Sequence, residues 1–208
     1  KALYLNLMLI ALQQLSGIDA VMFYAAKIFK GNFSPMVGRF LQILWALIKV
    51  STAIISSFIV DRVGRKPLFM IGTASISISL LILAYLTIED MYVIKPIFLY
   101  TYIIAYSISM GPIVWIFAPE TLPERGINLV LFDHWTFSFI IVFAYPYMIS
   151  NIFGNSPDDL KGQATGYLFF MNFCLFCMIV VLKYLPETAK KTREEIYRLM
   201  HSRTNSID

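Results

Sequence analysis

The stretch LQQLSGIDAVMFYA, Leu12 to Ala25, decides how this chain is read. It lies inside an apolar run, roughly Ala2 to Ala26, long enough for the ~20 helical residues that cross a bilayer. Near its middle stand Gln13, Gln14, Ser16, Gly17 and Asp19. Polar groups in hydrocarbon are costly and usually face another helix or a water-filled cavity. On an ideal helix Gln13 and Asp19 are about 120° apart, so a straight helix cannot turn both to one narrow face. Ser16-Gly17 between them is a place for a bend or break. Broken helices with binding groups near the midplane are a transporter device. The alternative for the glutamines is a packed interface in which Gln and Ser bond across helices; Asp19 favours a cavity.

The composition generalises this reading. Of 208 residues, 58% are hydrophobic and 14% charged, and the mean hydropathy is +0.69. A soluble domain carries about 25% charged residues. The apolar excess recurs in segments of about Ala2 to Ala26, Val37 to Val60, Leu68 to Ile88, Ile97 to Ala118, Ile127 to Ile149 and Thr165 to Leu185. Open strands cannot span a bilayer, and the alternation of barrel strands is missing. The expected fold is an all-α membrane protein: a six-helix bundle over 1–185 and a polar tail over 186–208, in which REEIYRLM can form a surface amphipathic helix.

The net charge of +4 reports topology rather than nucleic-acid binding. Arg62, Arg65 and Lys66, then Arg125, then Lys190, Lys191, Arg193, Arg198 and Arg203 follow the second, fourth and sixth segments. By the positive-inside rule this face is cytoplasmic, as are both chain ends. Cys174 and Cys177 are too few for a zinc site and read as packing residues. No cofactor is implied. Asn32-Phe33-Ser34 is a sequon on the outer side, or an ordinary polar loop. The chain opens on Lys1, directly before an apolar segment, and reads as part of a longer protein.

Four motifs occur in order. QQLSGIDAVMFY resembles the QQxSGxNxxxYY signature of the sugar porter family in the major facilitator superfamily. DRVGRKP, Asp61 to Pro67, is similar to that family's [DE]RxGRR/K loop. GPIVWIFAPETLPERG resembles GPxPWxxxxExxPxxxR, and PETAKKTREEI resembles PETKGKTxEEI. The set covers nearly the whole chain and matches the C-terminal half of a twelve-helix fold, closest to trehalose and glucose facilitators.

The resemblance implies roles. Gln13 and Gln14 match the sugar-binding glutamine pair, whose amides suit hydroxyls. Trp115 and Trp135 match tryptophans that border the sugar, since an aromatic face suits the C–H face of a pyranose. Phe23 and Tyr24 match the aromatic pair of an outer gate. Asp61, Arg62, Arg65, Glu120, Arg125 and Glu187 match a cytoplasmic charge network that closes the inner ends of the helices; for Arg65 a solvated basic loop is the alternative.

The departures matter as much. Asp19, Lys49 and His134 stand where the family has sugar-binding asparagines. A carboxylate only accepts and an ammonium only donates, and a lone charge at the membrane centre costs about 2.5–3.5 kcal/mol. Asp19 and Lys49 are therefore expected to pair across the first two helices. Val114 replaces a proline of the GPxPW motif, so the fourth segment is expected to be less broken.

The function implied is a sugar carrier for a hexose or trehalose-like disaccharide, working by alternating access in a plasma membrane. Facilitated diffusion is the expected mode, with a proton-linked step at Asp19 or His134 as an alternative. No covalent chemistry is expected. Its partners are the sugar, the lipid bilayer and a missing N-terminal six-helix half or a second copy. Alone, six helices would form one wall of a cavity and bare their polar lining. The competing class is a non-transporting sugar sensor or inactive truncated relative.

Overall fold

The computed structural model describes residues 2–22, 25, 29, 33–154, 159–189, 191–192 and 194–196. Among these residues, six helices are long and apolar enough to cross a membrane: Ala2–Met22, Pro35–Val63, Arg65–Ile88, Lys95–Thr121, Glu124–Phe153 and Leu160–Tyr184. No strand occurs among the described residues. The all-α, six-span architecture is therefore the expected one, with shifted ends. The second span starts at Pro35 because proline suits the first turn of a helix and Ser34 Oγ caps Val37 N at 3.5 Å. The fifth runs past Pro146 into a π-helical turn, Ile149–Phe153.

Two spans are interrupted. In the first, α1 (Ala2–Leu15) stops at Leu15, a turn follows at Ser16–Gly17, and helix resumes over 18–22. Gly17 has φ +83°, and a Cβ there would lie 2.4 Å from the Phe170 ring. Both the left-handed backbone and the close ring demand glycine. A break inside hydrocarbon frees carbonyls that water cannot reach. Here Ser16 Oγ donates to Gln13 O at 2.6 Å and Tyr102 Oη donates to Ser16 O at 3.2 Å.

The second interruption corrects an expectation. The span Lys95–Thr121 is broken at Ser109 into α4 (Lys95–Ile108) and α5 (Met110–Thr121), despite Val114. The cause is Pro112, which has no N–H for the carbonyl of Ile108. Ser56 Oγ, on α2 (Pro35–Val63), donates to that carbonyl instead, at 3.2 Å.

The most extensive helix pairing joins α3 (Arg65–Ile88) and α7 (Leu160–Tyr184). Gly72 lets α3 approach the Ser109 corner so closely that a Cβ would overlap the Ser109 hydroxyl. Small residues at such crossings are how membrane helices pack without a hydrophobic drive between them. The first span rests on α6 (Glu124–Met148), α5 and α7. Cys174 and Cys177 are buried and unbridged. Two long apolar faces stay open: Met36, Phe40, Leu47 and Ile54 on α2, and Phe132, Phe139 and Phe143 on α6.

Gly17→Ala should lower the thermal midpoint of the detergent-solubilised protein, because the left-handed backbone alone costs about 1–2 kcal/mol for an L-residue. An unchanged midpoint would show that the break does not depend on glycine.

Candidate functional site

The break in the first span holds both glutamines inside the bundle. Gln13 and Gln14 are 0% and 1% exposed. Gln13 Nε2 donates to Met110 O at 3.0 Å and Gly111 O at 3.1 Å, in the first turn of α5. Gln14 Nε2 donates to Asp19 Oδ2 at 3.1 Å and to His134 O at 3.5 Å. All four partners only accept, so they fix which end of each amide carries nitrogen. The opposite oxygens, Gln13 Oε1 and Gln14 Oε1, are buried and receive no hydrogen bond. A sugar hydroxyl is a donor that would satisfy such an oxygen.

Beside them stands an aromatic row. The His134 ring meets Trp115 edge-on, with centroids 4.9 Å apart, and Trp135 at 5.3 Å. Trp115 and His134 are half-buried, whereas Trp135 is 67% exposed. Trp135 therefore belongs to the open face of α6. Phe23 and Tyr24 lie outside the described residues, as do Asn32 of the sequon and the tail beyond Ile196.

Two expectations fail here. Asp19 and Lys49 do not pair. The Asp19 carboxylate turns to α6, where Ser138 Oγ donates to Oδ2 beside Gln14 Nε2. Lys49 is exposed on α2, which packs on α4 rather than over Asp19, and its Nζ lies 3.9 Å from Met22 Sδ. Nor is the polar lining bared as a whole: the glutamines are covered by α5 and α6, leaving Asp19 half-exposed and Lys49 and Trp135 open. Ser138, which holds Asp19, carried no signal in the sequence. Among the described residues no three His, Cys, Asp or Glu side chains converge as a metal site would need.

Where the second span ends and the third begins, Arg65 is the hub of the charged groups. Its guanidinium bonds Asp61 at 3.1 Å and Glu120 at 2.9 Å. The Glu187 carboxylate caps the start of α3, accepting from the backbone N–H of Arg65 and of Lys66, both at 3.0 Å, and from Ala189 N at 2.8 Å. An anion at a helix N-terminus meets unpaired N–H groups and the positive end of the dipole. Gly64 has φ +96°, and a Cβ there would lie 2.8 Å from Glu187 Oε2, so glycine lets the carboxylate in. Thr188 Oγ1 donates to Glu120 Oε2 at 2.6 Å, and Lys66 Nζ to Leu182 O at 2.8 Å. Neither Thr188 nor Lys66 was expected in this set. Arg62 and Arg125 are exposed and join no ion pair among the described residues, because each sits on the solvent side of its helix end.

Burial pushes the Glu187 carboxyl up, but the three backbone donors and the Arg65 charge outweigh it and hold the group below its ordinary value. A depressed carboxylate stabilises fully above its ordinary value of about 4.3 and loses that contribution as pH falls through the lower, folded value. Digestion with pepsin, which is stable in acid, reports release of the cap. Cleavage near Leu185 should accelerate only once pH falls below the ordinary carboxylate range, and Glu187→Gln should show the fast rate already at pH 5. Equal rates in both proteins would deny the cap.

Comparison with known proteins fits this geometry. A family profile described as Sugar (and other) transporter matches residues 1–200. The facilitated trehalose transporter Tret1 of Bombyx mori is 30% identical over 94% of this chain and 39% of its own length. Tret1 of Polypedilum vanderplanki is 28% identical over 100% of this chain and 42% of its own. The chain thus spans well under half of these relatives. Among solved structures, the proton:xylose symporter XylE bound to 6-bromo-6-deoxy-D-glucose superposes with a TM-score of 0.84 at 23% identity, over 96% of this chain and 42% of that one. XylE from E. coli in its inward-open conformation gives 0.79 at 22% identity, over 95% and 41%. The fold is that of these transporters, and the chain belongs to the sugar transporter family.

Proposed function

We propose that this chain is the C-terminal six-helix half of a carrier that moves a hexose or a trehalose-like disaccharide across a membrane by alternating access. The observation that carries this reading is the pair of buried, unpartnered acceptors Gln13 Oε1 and Gln14 Oε1, held at a helix break beside an aromatic row. Broken helices at the midplane are how such carriers present binding groups. Gln13, Gln14, Asp19, Trp115, His134 and Trp135 form one wall, and Lys49 lies at its edge. The other wall comes from an N-terminal half or a second copy, which would cover the exposed Trp135 and the open face of α6. Phe23 and Tyr24 serve as the outer gate, by the family's pattern.

The cytoplasmic cluster acts as a latch. Asp61, Arg65, Glu120 and Glu187 tie the starts and ends of α2, α3, α5 and α7 together. Arg62 and Arg125, exposed and in no ion pair among the described residues, would reach the other half when the cytoplasmic side closes. Ion pairs that break and re-form bias a two-state equilibrium. The protein is a multi-pass membrane protein; its address is the plasma membrane, with both ends of this chain cytoplasmic by the positive-inside rule.

The test is uptake of labelled trehalose and glucose into proteoliposomes holding the protein at its natural length. Uptake should saturate, and Gln13→Ala or Gln14→Ala should raise KM about tenfold, the effect of one lost hydrogen bond of about 1–1.5 kcal/mol. Arg65→Gln should reduce the maximal rate more than KM. Normal binding of both sugars without uptake would favour a sensor, and absence of both would remove the sugar reading.

A further inference from the structure

Asp19 lies on the helical piece that follows the break in the first span. Its Oδ2 atom accepts two hydrogen bonds, from Gln14 Nε2 at 3.1 Å and from Ser138 Oγ of α6. The other acceptor near Gln14 Nε2, the His134 carbonyl, is 3.5 Å away, at the long end for a hydrogen bond. Asp19 is therefore the group that decides which way the Gln14 amide is turned. Ser138 decides in turn where Oδ2 stands, because its hydroxyl fastens the piece beyond the break to α6. This role needs only an oxygen at the Oδ2 position, since charged and neutral carboxyl groups both accept there.

Gln13 is turned the same way by different means. Its Nε2 donates to the Met110 and Gly111 carbonyls at 3.0 and 3.1 Å, and backbone carbonyls survive any side-chain substitution. Both amides thus spend their nitrogen on protein acceptors and keep a buried oxygen without a donor. A glutamine free to turn offers a ligand either a donor or an acceptor. These two offer an acceptor only. A hydroxyl that donates its proton satisfies such an oxygen, whereas an ether oxygen or a fluorine sets lone pairs against lone pairs.

We infer that Asp19 and Ser138 are positioning residues that set the specificity of the sugar site: by holding Gln14 Nε2 they present Gln14 Oε1 to the ligand, so that Gln14 and Gln13 together select a sugar that donates a hydroxyl proton at two positions. This rests on the sugar-carrier reading and adds the direction of two of its hydrogen bonds. A buried acceptor left without its donor costs more than the bond itself, so the rejection of ligands lacking either proton is strong. The two positions differ in origin. One is fixed by the backbone at the second break, and the other by a side-chain relay from α6.

The experiment measures binding of glucose and trehalose to the natural-length protein, beside analogues in which one hydroxyl at a time is replaced by hydrogen or by fluorine. Fluorine accepts a hydrogen bond but has no proton to give. Where the protein donates to a hydroxyl, the fluoro analogue binds tighter than the deoxy analogue; where the hydroxyl donates, it does not. In the wild type, two hydroxyl positions should lose about tenfold in affinity with either replacement, with fluoro no tighter than deoxy. Asp19→Leu removes the acceptor and releases Gln14. At one of the two positions the fluoro analogue should then bind at least about threefold tighter than the deoxy analogue, the worth of a weak hydrogen bond. The position read by Gln13 should keep its wild-type ratio. Ser138→Ala should shift the same position in the same direction, and Asp19→Asn, which keeps an oxygen there, should retain both wild-type ratios whatever its overall affinity. A merely structural role for Asp19 would weaken every analogue by one common factor, and ratios unchanged in Asp19→Leu and Ser138→Ala overturn the inference. Fluoro analogues tighter than deoxy at every sensitive position of the wild type overturn it without any variant and leave the carrier reading standing. No binding of either sugar overturns both readings.

Discussion

A helix that stops in the middle of a bilayer leaves backbone groups that water cannot satisfy. α1 stops at Leu15, and the features that permit it organise the bundle. Gly17 supplies the left-handed turn and lets Phe170 of α7 press against the backbone. Ser16 and Tyr102 cover freed carbonyls from two directions. Because the break is packed on both sides, Gln13 is carried to α5 and Gln14 to α6, and the helix that resumes places Asp19 beside Ser138. The second break, at Ser109, supplies the Met110 and Gly111 carbonyls that Gln13 engages. Each interruption thus gives the other its partner.

The same logic operates at the end of the bundle that carries Arg65, with water near. Glu187 follows α7 and caps α3, so the two most extensively paired helices are joined at one end by a carboxylate on a helix N-terminus. Glu120 of α5 is shared between Arg65 and Thr188. These elements form one body around α3. α2, with its open outer face, is attached to that body chiefly through α4. On the proposed carrier reading, a body of this kind would rock as a unit against a second half.

Much of this was legible in the sequence because membranes punish polar groups. Six apolar runs gave the spans, and the polar residues within the first run located the break at Ser16–Gly17. Partners were less legible. The positions of Asp19 and Lys49 around their helices made an ion pair reasonable, but which neighbour a helix face meets depends on packing. α2 lies on α4, so a serine in an apolar run became the partner of the acid. Val114 looked decisive for the fourth span, yet Pro112 alone is enough to break it, since the missing N–H is a local property. At the charged end of the bundle the motifs located Arg65, Glu120 and Glu187. They could not locate Thr188 or the backbone donors of Arg65 and Lys66, which depend on a cap formed only after α3 and α7 meet.

The most direct test of the account is a density map of the natural-length protein, prepared with trehalose or glucose. We expect sugar density within hydrogen-bond distance of Gln13 Oε1 or Gln14 Oε1, bordered by Trp115 and Trp135. Ordered sugar elsewhere in the protein, with both glutamine oxygens still closed off, would contradict it.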